Sequence, residues 1–303
     1  MNPNLVAAEG RAKTSVPLWQ KTGQINRICL HCGTNIGMFA ESECGRQMLE
    51  QDHVNEGAMM NWIVVCLLGA APASGGRDVT RYVIPRASGK VAIDGKLDEA
   101  DWKSAKSVGA FKFPWWKSGK KEQTVAKMLW DKKFLYVSYR CEDAHISAEQ
   151  TEHDSPVYQD DCVELFTAPN PLRPDDYFNI EMNVNRAFLD RHHPDGPGVK
   201  PKGNWNAKGV RIAVTVEGTL NDDSDVDRGW ILEAAIPLAN FAGVARHTPP
   251  EPGDVWHLNL NRLGGKTNPQ FSQWSASKTE RPSFHVPRDF GRVVFGGARD
   301  GKE

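Results

Sequence analysis

The chain has 303 residues, 37 Lys and Arg against 38 Asp and Glu, a formal net charge of −1, and 40% hydrophobic residues. Setting aside the five basic and six acidic residues of 1–58 leaves 32 of each sign, so no basic stripe or tail argues for nucleic acid or an anionic membrane surface. The roughly 230 residues that follow the first apolar run suffice for one substantial core in a single large domain.

In chain order, residues 1–58 show scattered charge and neither helical nor strand periodicity, and are read as an upstream extension without a fold of its own. The apolar run from Trp62 to Ala71 is too short to span a bilayer, which takes roughly 20 residues. It fits the roughly 7–15-residue apolar region of a secretory signal. Ala71-Pro72-Ala73 supplies the small-x-small cleavage pattern, so residues 59–73 are expected to be a signal peptide and the mature chain to begin near Ser74. The alternative for this run is a buried strand or helix. Four of the six cysteines (Cys29, Cys32, Cys44, Cys66) precede Ser74. Cys29-Leu-His-Cys32 has the spacing of half a zinc site but lacks a second close pair. Cys141 and Cys162 remain in the body, where they form a disulfide or stay as two buried thiols.

Residues 80–297 read as one β domain. Val83-Ile84 and Val91-Ala92-Ile93 are short strand candidates, and "LDEADWKSA" from Leu97 predicts a short helix. Period-two runs follow: "TVAKMLW", "FLYVSYRCED", "DCVELFTA", "YFNIEMNVN", "VRIAVTVEG", "GWILEAAI", "VWHLNLNR" and "GRVVF". Many short strands separated by Gly, Pro and Asp turns predict an all-β antiparallel sandwich. "PLANFAGV" predicts a single helical turn.

Alternation assigns faces. With Phe178, Ile180, Met182 and Val184 inward, Asn179, Glu181 and Asn183 project together from the other side. Asn259 and Asn261 do the same on a late strand, with Arg262 at its end. Amides and a carboxylate offer the donors and acceptors a hydroxyl-rich ligand requires. Trp130, Trp230 and Trp256 lie within strands and read as core. Trp115-Trp116, Trp205 and Trp274 lie in loop-like segments, where an indole face could stack on the C–H face of a sugar. The candidate carbohydrate contacts are therefore Trp116, Trp205, Trp274, Asn183, Asn261 and Arg262; the alternative for each tryptophan is a loop anchor.

Two acidic segments, "HDSPVYQDD" and "NDDSDVD", offer Asp160 and Asp161 or Asp223, Asp225 and Asp227 as oxygen ligands for a structural calcium ion. Arg228 stands where an EF-hand loop needs Gly, so a plain hairpin turn is the alternative. Asp161, Glu164, Glu181 and Glu233 are the carboxylates available for glycoside hydrolysis. No nucleophile elbow, phosphate loop or zincin helix is present.

Seven segments, "VAIDGKLDEADW", "AKMLWDKKFLYVSYRCED", "HDSPVYQDDCVELF", "YFNIEMNVN", "TVEGTLNDDSDVDRGWILEAAIPL", "PGDVWHLNLNR" and "FHVPRDFGRVVF", occur in the order seen in family 9 carbohydrate-binding modules. The chain resembles the stand-alone members of that group over about Val83 to Phe295. The resemblance implies a DOMON-like β-sandwich, sugar binding between tryptophans, often calcium, and association with glycoside hydrolases. It implies an exported, non-catalytic carbohydrate-binding protein, secreted or periplasmic, with no stable membrane insertion after processing. Two alternatives come with it: a hydrolytic domain acting on O-glycosyl bonds, and a haem-binding domain with Met128, Met182, His257 or a lysine as axial ligand.

Overall fold

The computed structural model describes residues 79–200 and 203–297. The segments expected to be an upstream extension (1–58) and a signal peptide (59–73) lie outside the described residues. The described strands are β1 (Arg81–Ile84), β2 (Thr124–Trp130), β3 (Phe134–Glu142), β4 (Cys162–Ala168), β5 (Tyr177–Asn183), β6 (Phe188–His193), β7 (Arg211–Glu217), β8 (Gly229–Pro237), β9 (Val255–Leu263), β10 (Phe271–Gln273) and β11 (Gly291–Phe295). They form two sheets: β1-β11-β9-β4-β5-β6 with β10 added on β9, and β2-β3-β8-β7. Pairing is antiparallel throughout except for the parallel pair β1–β11.

Alternation builds the sandwich. Val163 and Leu165 of β4, Phe178, Ile180 and Met182 of β5, and Trp256, Leu258 and Leu260 of β9 face Met128, Val137, Leu232, Ala234 and Ile236 of the smaller sheet. All are buried in one apolar layer together with Trp130 and Trp230. This is the two-layer solution for sheets that are each apolar on one face. The turn after β2 is set locally: Asp131 Oδ1 accepts the backbone N–H groups of Lys133 (2.7 Å) and Phe134 (2.8 Å). Gly229 opens β8 at φ 138°, and a Cβ there would lie 2.0 Å from the Cys141 carbonyl oxygen. Only glycine fits that approach.

The predicted helix shortens to α1 (Ala100–Ser104), because Glu99 and Ala105 on either side are extended. Five residues do not hold a helix unaided. Its anchors are tertiary: Trp102 is buried, and Asp101 accepts the N–H groups of Ser88 and Gly89. The turn in "PLANFAGV" is a 3₁₀ helix, Leu238–Phe241. Cys141 and Cys162 are both buried and both free, and burial pushes the Cys141 thiol up to about 12. No helix among the described residues is long and apolar enough to cross a membrane.

Candidate ligand-binding face

The face of the larger sheet that turns away from the core is polar in its middle. Register makes one continuous row across five strands: Gln273 of β10 pairs with Asn261 of β9, Asn261 with Glu164 of β4, Glu164 with Glu181 of β5, and Glu181 with Leu189 of β6. The next row sets Asn259, Phe166, Asn179 and Arg191 side by side. Gln273, Asn261, Glu164, Glu181, Asn259 and Asn179 are all at least 95% buried. Apolar clusters flank the band. Phe166, Tyr177, Phe284 and Phe290 pack with half-buried Trp115 on one side, and Val157, Cys162 and Ala187 pack with Leu189 on the other.

Most of the band is hydrogen-bonded within itself. Asn261 Nδ2 donates to Glu164 Oε2 (3.2 Å), and Asn179 Nδ2 to Glu181 Oε1 (2.8 Å). Asn259 Nδ2 donates to Gln273 Oε1 (3.1 Å) and to the Ser275 carbonyl (2.9 Å). His193 Nε2 lies 2.8 Å from Asn179 Oδ1, and the His193 ring stacks on Tyr177 at 4.5 Å. Three buried atoms have no hydrogen-bond partner: Glu181 Oε2, Asn261 Oδ1 and Gln273 Nε2. Buried polar atoms are nearly always satisfied, so three orphans on one row single this band out as a candidate site. They comprise two acceptor oxygens and one amide donor, spread across the strands from β10 to β5.

The paired carboxyls set the electrostatics. Burial raises Glu164 well above the usual carboxylate range, and the facing Glu181 adds to the shift. Burial likewise raises Glu181 to about 7, against the opposing pull of the Asn179 hydrogen bond and the Arg191 charge. Two carboxylates directly opposite each other cannot both ionise cheaply, so the pair holds a proton near neutral pH. The protonated oxygen is then a donor as well.

The six expected carbohydrate contacts do not assemble. Asn261 alone lies in the band. Arg262 has the parity of Trp256, Leu258 and Leu260, so it points into the sandwich. There it is 0% exposed, pairs with Asp143 (2.8 Å) and Asp161 (3.0 Å), and lies 5.3 Å over the Trp230 ring. The same alternation was readable in "VWHLNLNR". Asn183 is on the outer face but closes a turn, donating to the Gln150 carbonyl and Asp160 while accepting from the Ala187 N–H. Trp274 is a core residue, 1% exposed, with Nε1 donating to the Val108 carbonyl at 2.9 Å. Trp205 is half-buried and plugs the sandwich edge against Phe178 at 4.8 Å. Trp116 is half-buried in the loop that also carries Trp115, with Phe113 at 5.7 Å and Lys121 Nζ 5.6 Å from its ring. Gln273 escaped the sequence reading, and Trp115 was read there as a loop indole without being placed among the six contacts. Gln273 sits on a strand of three residues, too short to show a period.

The five expected calcium ligands do not converge either. Both oxygens of Asp160 accept backbone N–H groups, from Glu149 and Gln150, at 3.0 Å each. Asp161 accepts from Arg262, from the Gly265 N–H (2.8 Å) and from the Ser147 N–H (2.9 Å). Asp227 accepts from Thr219 (2.7 Å) and Ile146 (2.8 Å), fastening its turn to the loop after β3. Asp223 and Asp225 are exposed and bonded to Thr267 and Thr219. Chain donors engage Asp160, Asp161 and Asp227, and no three of the five bring ligand atoms together among the described residues, so they do not fit a shared calcium ion. The haem-ligand candidates also diverge: Met128 and Met182 are core residues, whereas His257 is on the outer face of β9.

The family model described as "Carbohydrate family 9 binding domain-like" matches residues 93–298. Over 154 residues the chain is 28% identical to Exoglucanase XynX of Acetivibrio thermocellus, and over 152 residues 27% identical to Endo-1,4-beta-xylanase C of Paenibacillus barcinonensis. Each match covers 50% of this chain but 12% of the relative. Among solved structures, one from Bacteroides uniformis is 21% identical, covering 72% of this chain and 99% of its own, with TM-score 0.61. A carbohydrate binding module family 9 from Caldicellulosiruptor kristjanssonii in complex with cellotriose is 17% identical, covering 74% and 97%, with TM-score 0.52. Its counterpart in complex with glucose has 17% identity, coverage of 74% and 99%, and TM-score 0.51.

Proposed function

The chain belongs to the carbohydrate family 9 binding domain-like family, and from that premise we propose that it is an exported, non-catalytic carbohydrate-binding protein whose ligand seat is the polar band on the outer face of the larger sheet. The observation that carries the placement is the set of orphaned atoms, Glu181 Oε2, Asn261 Oδ1 and Gln273 Nε2, between two apolar clusters. A saccharide presents alternating hydroxyls and C–H faces. The hydroxyls satisfy the orphans, and the C–H faces lie against Trp115 and the neighbouring Trp116. A proton shared by Glu164 and Glu181 lets the band both donate and accept.

The ligand class is a β-glucan or xylan oligosaccharide. Supporting this are the cellotriose and glucose named for the two Caldicellulosiruptor structures and the xylanase and exoglucanase names of the two relatives. Those relatives are far longer than the matched part, so a glycoside hydrolase is the partner class, and the secretory run at 59–73 supports export. Calorimetry with glucose, cellotriose and xylotriose tests the reading. At least one should bind with a dissociation constant of millimolar or below, and Asn261→Ala should weaken it at least tenfold. Absence of binding to all three, or release of reducing sugar from xylan or cellulose, would overturn it.

A further inference from the structure

Outside the polar band, one group of potential metal-ligating atoms is found among the described residues. His153, Asp154 and Asp190 each place a ligand atom within 4.8 Å of the others. We propose that these three residues bind one divalent transition-metal ion of the zinc class, at the edge of the sandwich beside β6.

Three features of the geometry support a site over a chance meeting of charges. First, the separations suit an ion. His153 Nε2 lies 3.4 Å from Asp190 Oδ1 and 3.9 Å from Asp154 Oδ1. Zinc bonds of about 2.0–2.2 Å at a tetrahedral angle set neighbouring ligands about 3.3–3.6 Å apart; the His153–Asp190 separation meets this, and the His153–Asp154 separation needs a small inward movement of the exposed His153 ring. Second, Asp190 is 0% exposed, and its Oδ1, aimed at His153, accepts no hydrogen bond. Its Oδ2 is held by the Ala207 N–H at 2.6 Å, so the carboxylate is fixed with one oxygen directed into the group. A buried carboxylate oxygen without a donor is costly, and a cation removes that cost.

Third, the ligands are held before any ion arrives. The Asp154 N–H donates to the Phe188 carbonyl (2.9 Å), pinning the loop to β6, and Asp154 itself sits at φ 66°. The His153 ring lies 4.4 Å from the Phe188 ring. Asn206 Nδ2 is 3.5 Å from His153 Nδ1, where its amide, turned over, would accept the N–H of a metal-bound imidazole. Arg191 also donates to Asp154 Oδ1, which holds that carboxylate beside His153. The imidazole decides the metal class. Calcium and magnesium take oxygen ligands, whereas imidazole with carboxylates suits zinc and its neighbours. Three protein ligands leave a fourth position open. The ion would tie together the loop before Val157, strand β6 and the segment bearing Trp205.

The competing account is a plain His153–Asp190 ion pair. Equilibrium dialysis of the full chain, stripped with chelator, against zinc and against cobalt(II) separates the two. His153 is exposed, so His153→Gln should fold as wild type does. Wild type should bind one more equivalent of zinc than His153→Gln, with that equivalent weakened at least about 100-fold in the variant. Zinc should raise the melting temperature of wild type and leave that of His153→Gln unmoved. Asp154→Asn should behave as His153→Gln does. A cobalt spectrum with an intense thiolate band that survives in His153→Gln would locate the metal at Cys29 and Cys32. That result without a His153-dependent equivalent, equal binding in wild type and variant, or a response to calcium but not zinc would each overturn the proposal.

Discussion

Both sheets carry a buried glutamate in mid-strand on the face turned away from the core, and the two faces treat it differently. On the smaller sheet, Glu233 of β8 is 0% exposed and fully engaged: Oε1 accepts from Trp102 Nε1 at 2.7 Å, and Oε2 from the N–H groups of Asp94 and Gly95 at 3.2 Å each. The α1 segment lies over it, and Val91, Trp102, Ala105, Leu129 and Tyr136 seal it in. On the larger sheet, Glu164 faces Glu181, and one oxygen of Glu181 has no partner at all. The first carboxyl is a fastener for a short helix that could not persist unaided. The second pair keeps an unsatisfied oxygen and belongs to the band proposed as the ligand seat. Burial alone does not distinguish them; the count of satisfied atoms does.

Substitutions on the two faces should differ in what they cost. The largest effect is expected at Trp274, which a loop-like sequence presents as a surface ring but the fold uses as core. Trp274→Ala should cost about 3–5 kcal/mol in urea denaturation, and any loss of sugar binding should follow only from unfolding. A variant as stable as wild type would return Trp274 to the candidate contacts. Next is Glu233→Ala, which strands three donors and should cost about 3 kcal/mol. Little change in its unfolding midpoint would mean that α1 is not fastened through this carboxyl.

A smaller effect tests the other face through pH. Burial raises Glu164 and Glu181, with Glu181 moving from 4.5 to about 7. Between those values the pair holds more protons in the folded than in the unfolded chain, so its contribution to stability is greatest below about 4.5 and falls as pH rises toward 7. Glu181→Gln removes one titrating member of the pair, and its stability should decline less over the same range. Parallel pH profiles for wild type and variant would show that the pair does not share a proton.

The smallest stability change is expected for Trp116→Ala, about 1 kcal/mol or less, together with at least tenfold weaker sugar binding. Unchanged affinity would remove Trp116 from the seat and leave Trp115 as its aromatic wall.

Much of the fold was legible because alternation is a local property. The faces of "YFNIEMNVN" and "DCVELFTA" follow from period two alone, and the sandwich follows from so many half-apolar strands. Trp130, Trp230 and Trp256 were readable as core for the same reason. The site was only partly legible. Asn179, Glu181 and Asn261 could be set on an outer face from sequence, but their meeting there with Glu164 and Gln273 could not.

By itself, then, the sequence determined which residues alternate, where turns break the strands and which family pattern the order of segments follows. These are set within a few residues by backbone geometry and side-chain polarity. The tertiary structure decided which polar groups are already spent. Asp160 and Asp161 look like cation ligands in one dimension, yet Asp161 meets Arg262 across 101 positions of chain and Gly265 across 104. Trp274 looks like a loop indole until Val108, 166 residues away, takes its N–H. A carboxylate or an indole is available to a ligand only when no donor or acceptor of the chain has reached it first, and those partners are brought close by folding rather than by sequence neighbourhood.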